Sequence, residues 1–169
     1  QPQIDAEIGP CPWPPPVTPF SERRVSAPYE AMVRRVAPYT LRGFLWYQGE
    51  EDEEQCESYR ELLGLLIEEW RTLWNLAGYA EPAVGYQADA GADALPFIVV
   101  QLPQWIDGQV AARGDDPRHW PVIRAAQLNA SETLNDVLLV CTMDCGEFDN
   151  IHPLDKTTVG TRIADMALR

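Results

Sequence analysis

The sequence predicts an α/β fold built on a parallel sheet, and three observations carry that expectation. Residues 44–47 (Phe-Leu-Trp-Tyr), 97–100 (Phe-Ile-Val-Val) and 137–140 (Val-Leu-Leu-Val) are short, continuous apolar runs, the pattern of strands covered on both faces. Segments with helical apolar spacing lie between and after these runs. Turn-rich stretches separate the two kinds of segment, as in successive strand-helix-strand units with right-handed crossovers. No internal repeat is present.

Taken in order, residues 1–27 hold seven of the fifteen prolines, so they read as an extended connecting arm, and the domain is expected over 28–169. Tyr29, Met32, Val33 and Val36 have the spacing of a short helix, with Pro28 suited to its first turn. The first apolar run ends in the polar turn Gln48-Gly49. Parallel sheets bind ligands at the carboxyl ends of their strands, so Gln48 stands where its amide can point N–H donors into a crevice. Gly49 beside it permits a close approach by substrate or backbone. The acidic run 50–54 has the composition of a metal cluster, but it more simply complements the positive end of a following helix. That helix is marked by Cys56, Tyr59, Leu63, Leu66, Ile67, Trp70, Leu73 and Trp74 at three- and four-residue spacing, and is expected to pack on the sheet.

Residues 77–95, rich in Gly, Ala and Asp, read as a long loop. The second strand ends at Gln101, and 107–118 is a further polar loop, where active-site loops of such folds lie. Trp120, Ile123, Ala126, Gln127 and Ala130 mark another helix. After the third strand comes a loop over 144–152, and Asp155 can cap a last helix that turns Val159, Ile163 and Met166 inward.

Composition narrows the function. A chain of 169 residues with 46% hydrophobic content can bury one sizeable core. Its net charge of −13 argues against nucleic acid or an anionic membrane surface as partner. No apolar run approaches the roughly 20 residues of a membrane span, and no basic-then-apolar signal opens the chain. A chain that begins at Gln1 leaves compartment and oligomeric state open. Cys11, Cys56, Cys141 and Cys145 are too few and too irregular for a disulfide scaffold, and their simplest reading is buried thiols.

His152 is one of two histidines, and Asp149 precedes it by three residues. That spacing lets a loop bring a carboxylate against an imidazole, fixing its tautomer and stabilising the imidazolium formed when it takes a proton. Spacing alone fits a surface histidine before Pro153 equally well. Cys141, Cys145, Asp149 and His152 also invite a zinc site or a cysteine nucleophile. They lack the paired Cys-x-x-Cys spacing of strong zinc motifs, and Cys141 is expected to be buried in a strand, so no metal or other cofactor is implied. Arg124 and Gln127, one helical turn apart, fit a pocket-facing pair or a solvated face equally.

The blocks Leu-Arg-Gly-Phe-Leu-Trp-Tyr-Gln-Gly-Glu (41–50) and Asp-Asn-Ile-His-Pro (149–153) occur in this order at domain-scale separation. Between them come Tyr59, Trp70-Arg71, Gln101-Leu102 and Arg124-Ala-Ala-Gln127. Over about 27–168 this arrangement resembles the sialate O-acetylesterase family of SGNH-type serine hydrolases. The resemblance implies a three-layer, flavodoxin-like α/β sheet and hydrolysis of acetyl esters on sugars. It makes His152 the general base, Gln48 an oxyanion donor and Gln101, Arg124 and Gln127 candidates for substrate contact. Many relatives read Asp-Ile-His-Pro, whereas here Asn150 takes the aspartate's place; the acid is kept at Asp149, the position of the wider superfamily's Asp-x-x-His pattern, so the resemblance implies Asp149 as the residue that orients His152, with Asn150 the alternative. Ser21, Ser26, Ser58 and Ser131 are the only serines, and none has the setting of a nucleophile. The resemblance places that serine upstream, which makes the chain the later part of a catalytic domain, truncated on its N-terminal side and inactive alone. Sialic acid and xylan-type acetylated sugars are both compatible as substrates, a non-catalytic carbohydrate-binding module is the competing class, and secretion or a periplasmic location is allowed.

Overall fold

The computed structural model describes residues 24–37, 39–76, 95–114, 118–147 and 150–168. By contacts the chain divides into two units, Gln1–Tyr39 and Thr40–Arg169. In the first, the periodic residues form a short helix, Tyr29–Val33 in π register continued by the α turn Arg34–Val36, with Pro28 at its N-cap. None of its residues is buried.

Among its described residues the second unit holds three parallel strands, β1 (Phe44–Trp46), β2 (Phe97–Val100) and β3 (Val137–Val140), side by side in that order. Phe44 pairs with Phe97, which pairs with Val137. The strands fall where the apolar runs predict them, except that Tyr47 has left the ladder. Among the described residues, four α-helices accompany them: α1 (Cys56–Leu76), α2 (Gly108–Arg113), α3 (His119–Thr133) and α4 (Lys156–Ala167).

All four residues of β2 are buried because helices cover both faces of the sheet. Side chains alternate along a strand, so Phe97 and Val100 point to opposite sides. On the first side Phe97 stacks on Phe44 at 4.5 Å, and Trp70 and Trp74 of α1 pack against Phe44 at 5.3 and 5.0 Å. Helix α1 packs in turn along α3, whose buried residues are Trp120, Ile123, Ala126, Gln127 and Ala130, the expected face. On the second side Val100 clusters with Cys145 and Val159 of α4, flanked by Tyr47 and Ile163. Each such aliphatic or aromatic side chain contributes roughly 1.5–3 kcal/mol when fully buried. Arg71 of α1 closes the opposite end of the sheet, donating from Nε to the Leu95 carbonyl at 2.9 Å and from Nη2 to that of Asn135 at 2.8 Å.

Three expectations change. The acidic run does not merely precede a helix: it is itself a 3₁₀ helix, Glu50–Gln55, that runs directly into α1 and sets its carboxylates at the positive end. Part of the expected loop 107–118 is helical, since Asp107 Oδ1 accepts from the backbone N–H groups of Gln109 and Val110, and Gly114 closes α2 at φ 68°. Cys141 is exposed, because β3 ends at Val140; among the described residues Cys56 and Cys145 are the buried thiols. The long loop read over 77–95 lies outside the described residues except for Leu95. Among the described residues no helix is long and apolar enough to cross a membrane.

The turn after β3 is clamped from α4. Arg162 donates to both carboxylate oxygens of Asp144 at 2.6 Å and to the Cys141 carbonyl at 2.8 Å. This bidentate pair holds the Asp144 carboxyl down at about 2, against an ordinary 3.8. A depressed folded-state pKa contributes stability that is present above the unfolded value and lost as pH falls through the folded one. Arg162→Gln should therefore lower Tm modestly at neutral pH, as befits an exposed pair, and the difference from the parent should vanish as pH falls from 3.8 through about 2. Thermal melts across that range check it.

Candidate active site

The turn after β1 is built around Gly49. Its φ is +154°, and a Cβ there would stand 2.9 Å from Ile123 Cγ2 and 3.0 Å from Leu102 Cδ1. Glycine thus lets the turn press onto α3 and the end of β2; the group that approaches closely is the protein's own core. This fixes the Gln48 carbonyl, which accepts from the Tyr59 hydroxyl at 2.8 Å and from Gln127 Nε2 at 3.0 Å. Trp46 Nε1 donates to the same Tyr59 oxygen at 3.2 Å, and burial pushes the phenol's pKa up, keeping it a donor. The Gln48 amide nitrogen donates to Asp52 Oδ2 at 2.6 Å. A carboxylate only accepts, so Asp52 dictates which end of the amide faces it.

Gln127 is fully buried, and its amide serves two strands at once, since its Oε1 accepts from the Leu102 backbone N–H at 2.9 Å. It ties the turn after β1 to the chain after β2. Gln127→Leu would leave that buried N–H without its partner, so we expect a loss of about 1–3 kcal/mol, read as a lower denaturation midpoint with unchanged slope. Gln101 is likewise engaged: its Nε2 donates to the Arg124 carbonyl at 3.1 Å, and its own carbonyl accepts from the Thr142 hydroxyl. Arg124 donates from Nη1 to the Pro103 carbonyl at 3.3 Å and lines a cleft with Gln104 and Trp105.

The loop after β3 carries the histidine. Gly146 begins it against the backbone of Gln104, into which any Cβ would run. Glu147 is its internal bracket: Oε1 accepts from the Leu154 N–H at 2.6 Å and Oε2 from Asn150 Nδ2 at 3.0 Å. These bonds hold its carboxyl below the usual carboxylate range. Asn150 Oδ1 accepts from the backbone N–H of His152 at 3.0 Å, so both ends of that amide shape the loop. The His152 side chain is exposed. Asp149 lies outside the described residues. Tyr47 joins this loop to the first turn, because it packs on the cluster containing Cys145 while Lys156 Nζ sits 5.4 Å from its ring centre. Gln48 and His152 therefore occupy the same end of the sheet.

Cys145, one of the sulfurs considered as a nucleophile, is buried, and burial pushes its thiol pKa up, which lowers its thiolate fraction. Ser58 and Ser131 each donate their hydroxyl to a backbone carbonyl three residues back, at 3.0 and 2.7 Å. Asp52, four residues from Gln48 in the acidic run, has no sequence signal that sets it apart from its acidic neighbours, and Glu53, Trp105 and His119, which line the cleft beside Arg124, belong to no motif.

Comparison with known proteins bears on this geometry. The family described as carbohydrate esterase, sialic acid-specific acetylesterase matches residues 16–78. The sialate O-acetylesterase of Homo sapiens is 24% identical over 140 residues, covering 80% of this chain and 25% of that protein. The Mus musculus enzyme of the same name is 25% identical over 169 residues, covering 95% and 29%. The crystal structure of a carbohydrate acetylesterase from Xanthomonas citri superposes with a TM-score of 0.62 at 27% identity, over 80% of this chain and 27% of that one. The chain spans about a quarter of the length of the curated relatives it matches. The parallel α/β sheet is that of the SGNH-type fold seen in this structural neighbour. The matches of sequence and of structure point the same way: this chain is similar to the sialate O-acetylesterase family of carbohydrate esterases.

Proposed function

We propose that this chain supplies the base and one oxyanion donor of an esterase that removes acetyl groups from sugars, with the serine nucleophile contributed by residues outside these 169. In this reading His152 removes the serine proton as the serine oxygen bonds to the acetyl carbonyl. The carbonyl oxygen becomes an oxyanion, which the Gln48 amide and backbone N–H groups stabilise. The imidazolium then protonates the departing sugar oxygen, and water, deprotonated by the same histidine, releases acetate from the acyl-serine.

The observation that carries this reading is the state of Gln48. Its carbonyl is pinned by two bonds and its amide nitrogen is aimed by Asp52, so the donor is preorganised at the carboxyl end of β1. An amide nitrogen has two hydrogens, and the bond to Asp52 uses one. The second can meet the oxyanion.

The engagement of Asn150 with Glu147 and the His152 backbone supports Asp149 as the residue that orients the imidazole. In the enzyme that joins this chain to its nucleophile, Asp149→Ala should lower kcat/KM on the order of 10³-fold, whereas Asn150→Ala should cost less than about tenfold, through the loop alone. Steady-state release of acetate from an acetylated saccharide measures both. If only the Asn150 variant is impaired, the imidazole's partner is Asn150.

A further inference from the structure

Next to the candidate active site lies a small cleft, about 100 Å³, whose residues have no part in the mechanism above. One wall is aromatic: the Trp105 and Trp120 rings lie 5.0 Å apart, centre to centre, tilted by 45°. Another is polar, with His119 Nδ1 3.8 Å from Glu53 Oε1, both side chains about one-third exposed. Arg124 completes the lining. The cleft adjoins the machinery on two sides. Glu53 directly follows Asp52, the residue that aims Gln48, and Gln104 abuts Gly146 at the start of the histidine loop.

One atom sets this cleft apart. Trp120 is only 3% exposed, and its Nε1–H has no acceptor among the described residues. A buried indole N–H ordinarily finds a partner, because leaving it unmet costs the full desolvation of the donor. The packing of α3 does not require the polar atom, since an apolar ring would fill the same space without that cost. An aromatic wall, an unmet donor and an imidazole–carboxylate pair are the groups that hold a pyranose: its C–H face lies on the ring and its hydroxyls meet the polar atoms.

Charge selects among sugars. Glu53 and Asp107 line the cleft, the run 50–54 beside it is four glutamates and an aspartate, and the whole chain carries −13. Against these stand Arg124, already bonded to Pro103, and His119, already facing Glu53. An anionic sugar would meet net repulsion here. We propose that the cleft is a subsite for a neutral pyranose ring of the acetylated substrate, gripped between Trp105 and the Trp120 N–H. Its place in catalysis rests on the esterase reading; its affinity for sugar does not. The volume suits one ring edge rather than an oligosaccharide. Trp105 belongs to the irregular segment after β2 and is only part-buried; in the proposed complex its ring moves aside so that a ligand oxygen reaches the closed indole nitrogen.

The test follows the indole N–H resonances of the six tryptophans in the 169-residue chain while xylobiose, or separately N-acetylneuraminic acid, is added. Xylobiose should move the Trp105 and Trp120 signals saturably, and N-acetylneuraminic acid should not. Trp120→Phe should weaken xylobiose binding about tenfold, the worth of one hydrogen bond, with the shift at Trp105 as its readout. Trp105→Ala, at a part-buried position, should abolish the shift at Trp120, and it decides the matter if the first variant does not fold. No shift with xylobiose, shifts confined to other tryptophans, preference for N-acetylneuraminic acid, or unchanged affinity in a folded Trp105→Ala variant would each overturn the proposal. Saturable binding without any acetate release from the complete enzyme supports the cleft and removes the esterase reading. Acetate release without indole shifts does the reverse.

Discussion

His152→Ala, made in the enzyme that carries this chain with its nucleophile, should lower acetate release on the order of 10³-fold or more. General-base catalysis by a positioned side chain contributes typically about 10²–10⁴-fold, and members of a nucleophile–base unit fail together. The loss should appear in kcat, with KM little changed, because the proton moves only as the serine attacks. Stability should hardly move. The imidazole is exposed, and the loop is held by Glu147, Asn150 and the backbone N–H of residue 152, none of which needs the ring. A folded His152→Ala enzyme with normal turnover would remove the histidine from the mechanism.

Gln48→Ala should cost about 10²–10³-fold in kcat, the range found when one oxyanion donor is deleted. KM should stay near the parent value, since the oxyanion exists only in the transition state and binding of the ground-state ester does not use the donor. The backbone bonds from Tyr59 and Gln127 to the residue 48 carbonyl survive the substitution, so the turn should persist and the change should read as chemistry, not unfolding. Asp52→Ala supplies the control for positioning: the donor remains but loses its guide, so kcat should fall by less than in Gln48→Ala. A rise in KM at unchanged kcat for Gln48→Ala would assign the glutamine to substrate binding instead.

The fold was legible wherever burial was symmetrical. Phe97-Ile98-Val99-Val100 reads as a doubly covered strand because helices do cover both of its faces, and Trp120, Ile123, Ala126, Gln127 and Ala130 read as a helix face because all five turn inward. Helix α2 escaped because periodicity is silent for six residues with no buried side chain; its signals were the cap at Asp107 and the left-handed Gly114. Cys141 was misjudged by one position, the strand ending at Val140 and the next residue emerging into solvent. For the candidate site, the sequence singles out Gln48 and the histidine loop as candidates but not what holds them. Asp52 and Glu147 are acids in acid-rich stretches, and only three-dimensional pairing distinguishes them from their neighbours. Gln127 shows the converse: a polar residue spaced for a pocket turns out to be a fully buried bracket between two strands.

The central claim is that these 169 residues hold the base and an oxyanion donor but not the nucleophile. Its most direct measurement treats the purified chain alone with a serine-directed organophosphonate, then assays acetate release from an acetylated xyloside. The account predicts no covalent adduct and no acetate above the uncatalysed rate, because the Ser58 and Ser131 hydroxyls are tied to helix carbonyls. Stoichiometric labelling of any of the chain's serines, together with turnover that the reagent abolishes, would contradict it.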